Sequence, residues 1–280
     1  MIPSDLLGIF FALTSALVWG SGDFSGGLAA RRSGQFQVLA LAAISGVLML
    51  ILFAIWWGEP LPSARGVFWA GAAGVSGAIG IACLYRGLSL GNAAVVAPAA
   101  AVISAALPVV YSLFALGAPR PGQLAGFALA LLGIWLVSSG AGSGEAGRQA
   151  LLLALLAGLG FGGFFILIAQ VEPGLVFTPL IVARAVSLGV ALLLLLARRD
   201  ALPSLTSNPV ALAAGLLDSG GNIFFLLAQQ FTRLDVAAVL SSLYPATTVL
   251  LAYLILKETV SPAQWLGAIC CLAAVVLIAL

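Results

Sequence analysis

The chain has no histidine, three cysteines and few charges: only 7% of its 280 residues are Asp, Glu, Lys or Arg. Without histidine there is no imidazole general base, no His metal ligand and no His proton relay. Cys83, Cys270 and Cys271 lie in apolar stretches without CxxC spacing. They read as small buried hydrophobes, not as a disulfide framework or a zinc set. Ordinary globular domains carry about 25% charge, and so sparse a set cannot cover the surface of a soluble protein of this size. A cytosolic enzyme, a disordered chain and a secreted scaffold are excluded. The formal net charge of +2 is too small to argue for a nucleic-acid partner. The opening MIPSDLLGIFF has no basic n-region and no cleavage site before the next loop, so it reads as a first span.

What the chain has in abundance is apolar length. Hydrophobic residues make up 62% and mean hydropathy is +1.21. Crossing ~30 Å of hydrocarbon takes about 20 mostly apolar residues in a helix. Cutting at polar, Gly and Pro clusters leaves ten such segments, roughly 6–30, 35–57, 66–88, 93–116, 122–140, 149–170, 175–197, 209–231, 236–256 and 262–280. Segments of this length without two-residue alternation are helices, because lipid offers no partner to an open strand edge. GEPLPS at 58–63 and LGAPRPG at 116–122 are turns.

The most polar stretch, SSGAGSGEAGRQ, lies at the midpoint and divides the chain into 1–140, a linker at 141–148, and 149–280. The halves resemble each other at a nearly constant spacing. Trp19-Gly20-Ser21-Gly22 faces Phe161-Gly162-Gly163, Ala93-Ala94-Val95-Val96-Ala97 faces Ala237-Ala238-Val239-Leu240-Ser241, and Gln123-Leu124-Ala125-Gly126 faces Gln264-Trp265-Leu266-Gly267. Five spans per repeat is an odd number, so the second copy inserts upside-down. The expected fold is an all-α membrane protein of ten transmembrane helices in two inverted five-helix repeats. Secondary transporters share this plan, with the substrate site near mid-membrane between the halves.

The run Leu234-Asp235-Val236-Ala237-Ala238-Val239-Leu240-Ser241-Ser242-Leu243-Tyr244-Pro245, followed by Glu258 and Gln264-Trp265-Leu266-Gly267, resembles the ninth-helix pattern of the drug/metabolite transporter superfamily, EamA type. Trp19-Gly20 and Leu88-Ser89-Leu90-Gly91-Asn92-Ala93-Ala94-Val95-Val96-Ala97-Pro98 are similar to the matching first-half segments. The likeness covers essentially the whole chain and is specific for fold, not for substrate. One departure is Arg120-Pro121, where that family has an acidic residue before the fifth helix. The resemblance implies a transporter in the plasma (inner) membrane with both termini cytoplasmic. Counting basic residues gives the reverse orientation: with termini inside, Arg65, Arg120 and Arg233 are inner, whereas Arg31, Arg32, Arg148, Arg198, Arg199 and Lys257 are outer. The resemblance is followed here, since several of these residues lie at span ends.

Charges inside spans cost about 2.5–3.5 kcal/mol on insertion scales and face a cavity or a partner. Four stand there: Asp23, Arg86, Arg184 and Asp218. Arg184 and Asp218 lie near mid-depth and are expected to pair, for binding or simply to lock helices. Asp23 and Arg86 are expected on a common face. Asp23, among the small residues of Trp19-Gly20-Ser21-Gly22, is the best candidate for a proton or cation carrier. Asn222 shares a helix face with Asp218. Tyr85-Arg86 corresponds to Gln229-Gln230 under the repeat, and Tyr244 offers a phenol beside Pro245. Trp19, Tyr85, Asn222, Gln229 and Tyr244 are therefore candidate substrate ligands, or else interhelical hydrogen-bonding groups. Pro98, Pro108 and Pro245 interrupt related helices and are candidate kinks.

Gly158-Leu159-Gly160-Phe161-Gly162-Gly163 fits a dinucleotide pattern only formally. It lies within a span and follows no strand, so close helix packing is its physical meaning. The expected function is a secondary transporter, an exporter of an amino acid or drug-like amphiphile, working as a monomer or homodimer. No cofactor or metal is expected, and the expected partners are a small-molecule substrate, the lipid bilayer and protons. The competing reading is a structural or channel-type membrane protein. An intramembrane enzyme lacks a nucleophile–base pair or in-span carboxylate dyad.

Overall fold

The computed structural model describes residues 4–90, 93–115, 120–138, 145–257 and 261–279. Asn92, Glu258 and the 141–144 part of the linker lie outside them. Among the described residues the only regular secondary structure is helix: α1 Ser4–Ala30, α2 Gln35–Trp57, α3 Ala64–Ser89, α4 Ala93–Ala115, α5 Pro121–Ser138, α6 Glu145–Ile168, α7 Phe177–Arg198, α8 Pro209–Gln229, α9 Leu234–Ser241, α10 Tyr244–Leu256 and α11 Pro262–Ala279. Seven spans among the described residues are long and apolar enough to cross a membrane, α9 and α10 counting together as one. Phe10, Leu52, Trp56, Phe68, Leu193 and Ile269 point outward, as lipid-facing side chains do.

The ninth expected span is not one helix. It breaks between Ser241 and Tyr244, just ahead of Pro245. Proline brings no N–H, and its ring would strike the carbonyl of Ser241, four residues back, in an unbroken helix. The related α4 continues through Pro98 and Pro108, so the expected pair of matching interruptions exists only in the second half. Asp235 starts α9: its carboxylate accepts from Val236 N at 3.0 Å and from the Arg233 guanidinium at 3.1 and 2.9 Å.

Helix packing repeats across the halves. α1 lies on α8 as α6 lies on α3, α2 lies on α8 as α7 lies on α3, α2 meets α7, and α5 meets α11. The α2–α8 and α7–α3 crossings use the same device. A β-carbon at Gly215 would fall on the Ala42 carbonyl, and one at Gly74 on the Ala183 carbonyl. Each contact is tied by a serine: Ser45 donates to Leu212 O at 2.8 Å, and Ser187 donates to Gly74 O at 2.9 Å. Small residues let backbones approach, and hydroxyls replace the hydrophobic drive that lipid does not supply.

The halves are also stitched at both membrane ends. At one end Gly58 turns the chain out of α2 with φ +68°, and Glu59 reaches the start of α7. It accepts from Val176 N at 2.9 Å, Thr178 N at 2.7 Å and Thr178 Oγ1 at 2.9 Å. Beside it Ser63 caps α3, accepting from Gly66 N at 3.1 Å while donating to the Glu172 carboxylate. At the other end Asn208 caps α8 and donates to Ala29 O and Ser33 Oγ, both at 3.1 Å. There Gln37 donates to Ala201 O at 2.9 Å, and Arg198 lies 4.7 Å from the centre of the Phe36 ring. Glu59 carries negative charge to a helix N-terminus, where it is favoured. Glu59→Gln is expected to lower apparent stability by about 1–2 kcal/mol, read as a fall in Tm of the detergent-purified protein.

Candidate functional site

Between the halves lies a cleft enclosing about 570 Å³, part of it open to solvent. α1 and α3 of the first half and α6, α7, α8 and α10 of the second all reach it. Its polar groups are Asp23, Arg184, Ser187, Asp218, Asn222 and Tyr244. Its aromatic walls are Trp19, Phe161, Phe164 and Phe165. On the α3 side Gly74, Gly77 and Ile81 form the wall.

Arg184 and Asp218 form an ion pair, their side chains 7% and 12% exposed. The backbone beneath Asp218 is held independently of its carboxylate. Trp19 Nε1 donates to Asp218 O at 3.1 Å, and Asn222 Nδ2 donates to the same oxygen at 2.7 Å. Trp19 stacks on Phe165 at 5.5 Å and leans on Phe225 at 5.7 Å, while Phe165 and Phe225 approach to 4.6 Å. This aromatic cluster joins α1, α6 and α8, so it ties both halves at the cavity. Asp23 stands on the cavity wall, and among the described residues no group hydrogen-bonds or ion-pairs with its carboxylate.

Of the nine ligand candidates, six line this cavity: Trp19, Asp23, Arg184, Asp218, Asn222 and Tyr244. Tyr85 is buried beside it, its ring filling the space above Gly26 on α1. Two expectations need correction. Arg86 is exposed on the far side of α3 and shares no face with Asp23. The residues of a helix turn point outward in sequence, and a rotation of one position moves a side chain by about 100°. Gln229 sits near the end of α8, half-buried and away from the cavity, with its Nε2 buried and unpartnered among the described residues. Tyr244 lies at the helix break and donates to Ala97 O at 3.4 Å. That contact bridges α10 to α4.

The aromatic wall of α6 was not anticipated, yet the repeat held a signal for it. Phe161 stands where Trp19 stands in the first copy. Gly74, Gly77 and Ser187 carried no such signal, because small residues are everywhere in this chain.

The EamA-like transporter family model matches the chain twice, over residues 6–139 and 148–280. A solved structure described only as "Crystal structure of protein" has the same fold, with a TM-score of 0.70, 19% identity and coverage of 96% of this chain and 95% of that one. No curated protein matches in sequence. With two copies of the family unit spanning nearly its whole length, the chain belongs to the EamA-like transporter family of the drug/metabolite transporter superfamily and is a multi-pass integral membrane protein.

Proposed function

We propose that the chain exports a small metabolite from the cytoplasm by alternating access, the two five-helix halves rocking about the cavity they enclose. The observation that carries this reading is the cavity itself: polar and charged side chains from both halves converge on one space inside a lipid-facing bundle. Inverted repeats with a broken helix at the site are the usual construction for such a cycle. The Ser241–Tyr244 break supplies a joint, and the stitched ends supply two closures that can open in turn. Energy comes from a proton exchanged at Asp23, from a counter-moving solute or from the solute's own gradient. The membrane is the plasma (inner) membrane and both termini face the cytoplasm, which a reporter fused after Leu280 would check.

Alternating access requires both ends to open. In a background lacking Cys83, Cys270 and Cys271, we expect a cross-link between Ser33→Cys and Asn208→Cys to arrest flux in liposomes. A cross-link between Ser63→Cys and Glu172→Cys should do the same, and a reductant should restore flux in each case. Flux that survives either cross-link would refute the rocking cycle.

A further inference from the structure

The ionisable side chains on the cavity wall do not pair off. Arg184 and Asp218 neutralise each other, while Asp23 is 8% exposed and, among the described residues, has no hydrogen-bond or ion-pair partner. Among the described residues no second basic residue lines the cavity. The space therefore holds one carboxyl without a counter-charge, inside a bundle whose low dielectric makes its ionised form costly until a cation arrives.

The repeat makes this imbalance specific. The crossing glycines Gly74 and Gly215, which meet Ala183 and Ala42, set the register between the copies. One residue past Ala183 stands Arg184, and one past Ala42 stands Ala43. Three past Gly215 stands Asp218, and three past Gly74 stands Gly77. The ion pair thus has no first-half twin, and among the described residues the first half brings one charged group to the cavity, Asp23. Each half presents its own electrostatic face, one already neutral and one that accepts positive charge.

Resting on the transport reading above, we infer that this cavity takes a monocationic amine on an aromatic or apolar body, with Asp23 as the ammonium partner. Charge accounting selects this class. A cation pairs with ionised Asp23 and keeps the cavity neutral. A zwitterion also brings a carboxylate, which must take Arg184 away from Asp218. An anion finds no unpaired base in the described lining. The walls agree with the count: Trp19, Phe161, Phe164 and Phe165 offer faces to an apolar body and negative ring potential to a cation.

Three probes that share a phenyl group separate the cases: phenethylamine as the cation, phenylalanine as the zwitterion and 3-phenylpropionate as the anion. Binding is measured on the purified full-length chain in detergent, by thermal shift and calorimetry. Phenethylammonium is expected to bind at least about tenfold more tightly than the other two. Asp23→Asn should weaken it by at least about tenfold without lowering the Tm of the ligand-free protein, since its carboxyl has no partner to lose among the described residues. Asp23→Glu should keep measurable binding.

The inference is overturned if phenethylammonium does not bind, if phenylalanine or 3-phenylpropionate binds as tightly, or if Asp23→Asn binds the cation unchanged. Uptake of phenylalanine or 3-phenylpropionate into liposomes in those cases would leave the transport reading standing and remove only the charge class.

Discussion

Asp218→Asn is expected to lower the stability of the purified chain by about 3 kcal/mol or more and to remove solute flux. Stranding one member of a buried ion pair leaves the other charge uncompensated, and this costs about 3–5 kcal/mol. Arg184 is the stranded partner here, its side chain 7% exposed. The local backbone should survive the change, because Trp19 and Asn222 hold the Asp218 carbonyl and not its carboxylate.

Replacing both members together separates structure from function. Arg184→Met with Asp218→Leu should recover most of the lost stability, since apolar groups of similar volume often substitute well for a buried pair. Flux should stay absent if the pair contacts solute. The exchange Arg184→Asp with Asp218→Arg asks the same question with charge preserved. If it restores both Tm and flux, the pair only locks α7 to α8. If it restores Tm alone, the orientation of the pair matters to the solute.

Gly215→Val should be about as damaging, at roughly 3 kcal/mol, and for a different reason. Any β-carbon at this position meets the Ala42 carbonyl and the Ser45 hydroxyl. Backbone cannot rotate aside as a side chain can, so α2 and α8 must separate and the Ser45–Leu212 bond at 2.8 Å is lost with them. Gly74→Val should act alike at the twin crossing, where the Ala183 carbonyl stands in the way. Gly189, also in a helix, has open space where its β-carbon would go. Gly189→Ala is therefore expected to be neutral or to stabilise by up to about 1 kcal/mol. Tm values of the three variants test the point: equal effects would mean that helix propensity, and not backbone contact, governs these positions.

Much of the architecture was readable in one dimension. Span limits at 35–57 and 209–231 fall within a few residues of α2 and α8, because apolar length is a demand of the bilayer and not of any partner helix. The duplicated motifs announced the two copies. Pro245 was readable as an interruption of the ninth span, and Pro98 and Pro108 as interruptions of the fourth. A proline states that a backbone bond is missing, but whether the helix breaks or bends depends on what packs around it. Here α4 runs through Pro98 and Pro108, while α9 stops before Pro245.

The site divided along similar lines. Asp23, Arg184 and Asp218 were conspicuous because charge inside a span is costly wherever it points. Arg86 was conspicuous for the same reason and yet faces outward, since its direction is a matter of helix rotation. Phe164 and Phe165 were inconspicuous among 15 phenylalanines and became a wall only when α6, packed on α3 and α4, brought Phe165 against Trp19 of α1 and Phe225 of α8.

The order of residues by itself determined that this chain crosses a bilayer in two similar sets of five helical segments, because the cost of burying a peptide group in hydrocarbon depends on local composition alone. Only the tertiary structure decided which in-span charges meet, which glycines touch a neighbouring backbone and which carboxylate stands without a partner. Those are properties of distance between segments far apart in the chain, and distance is set by how helices cross.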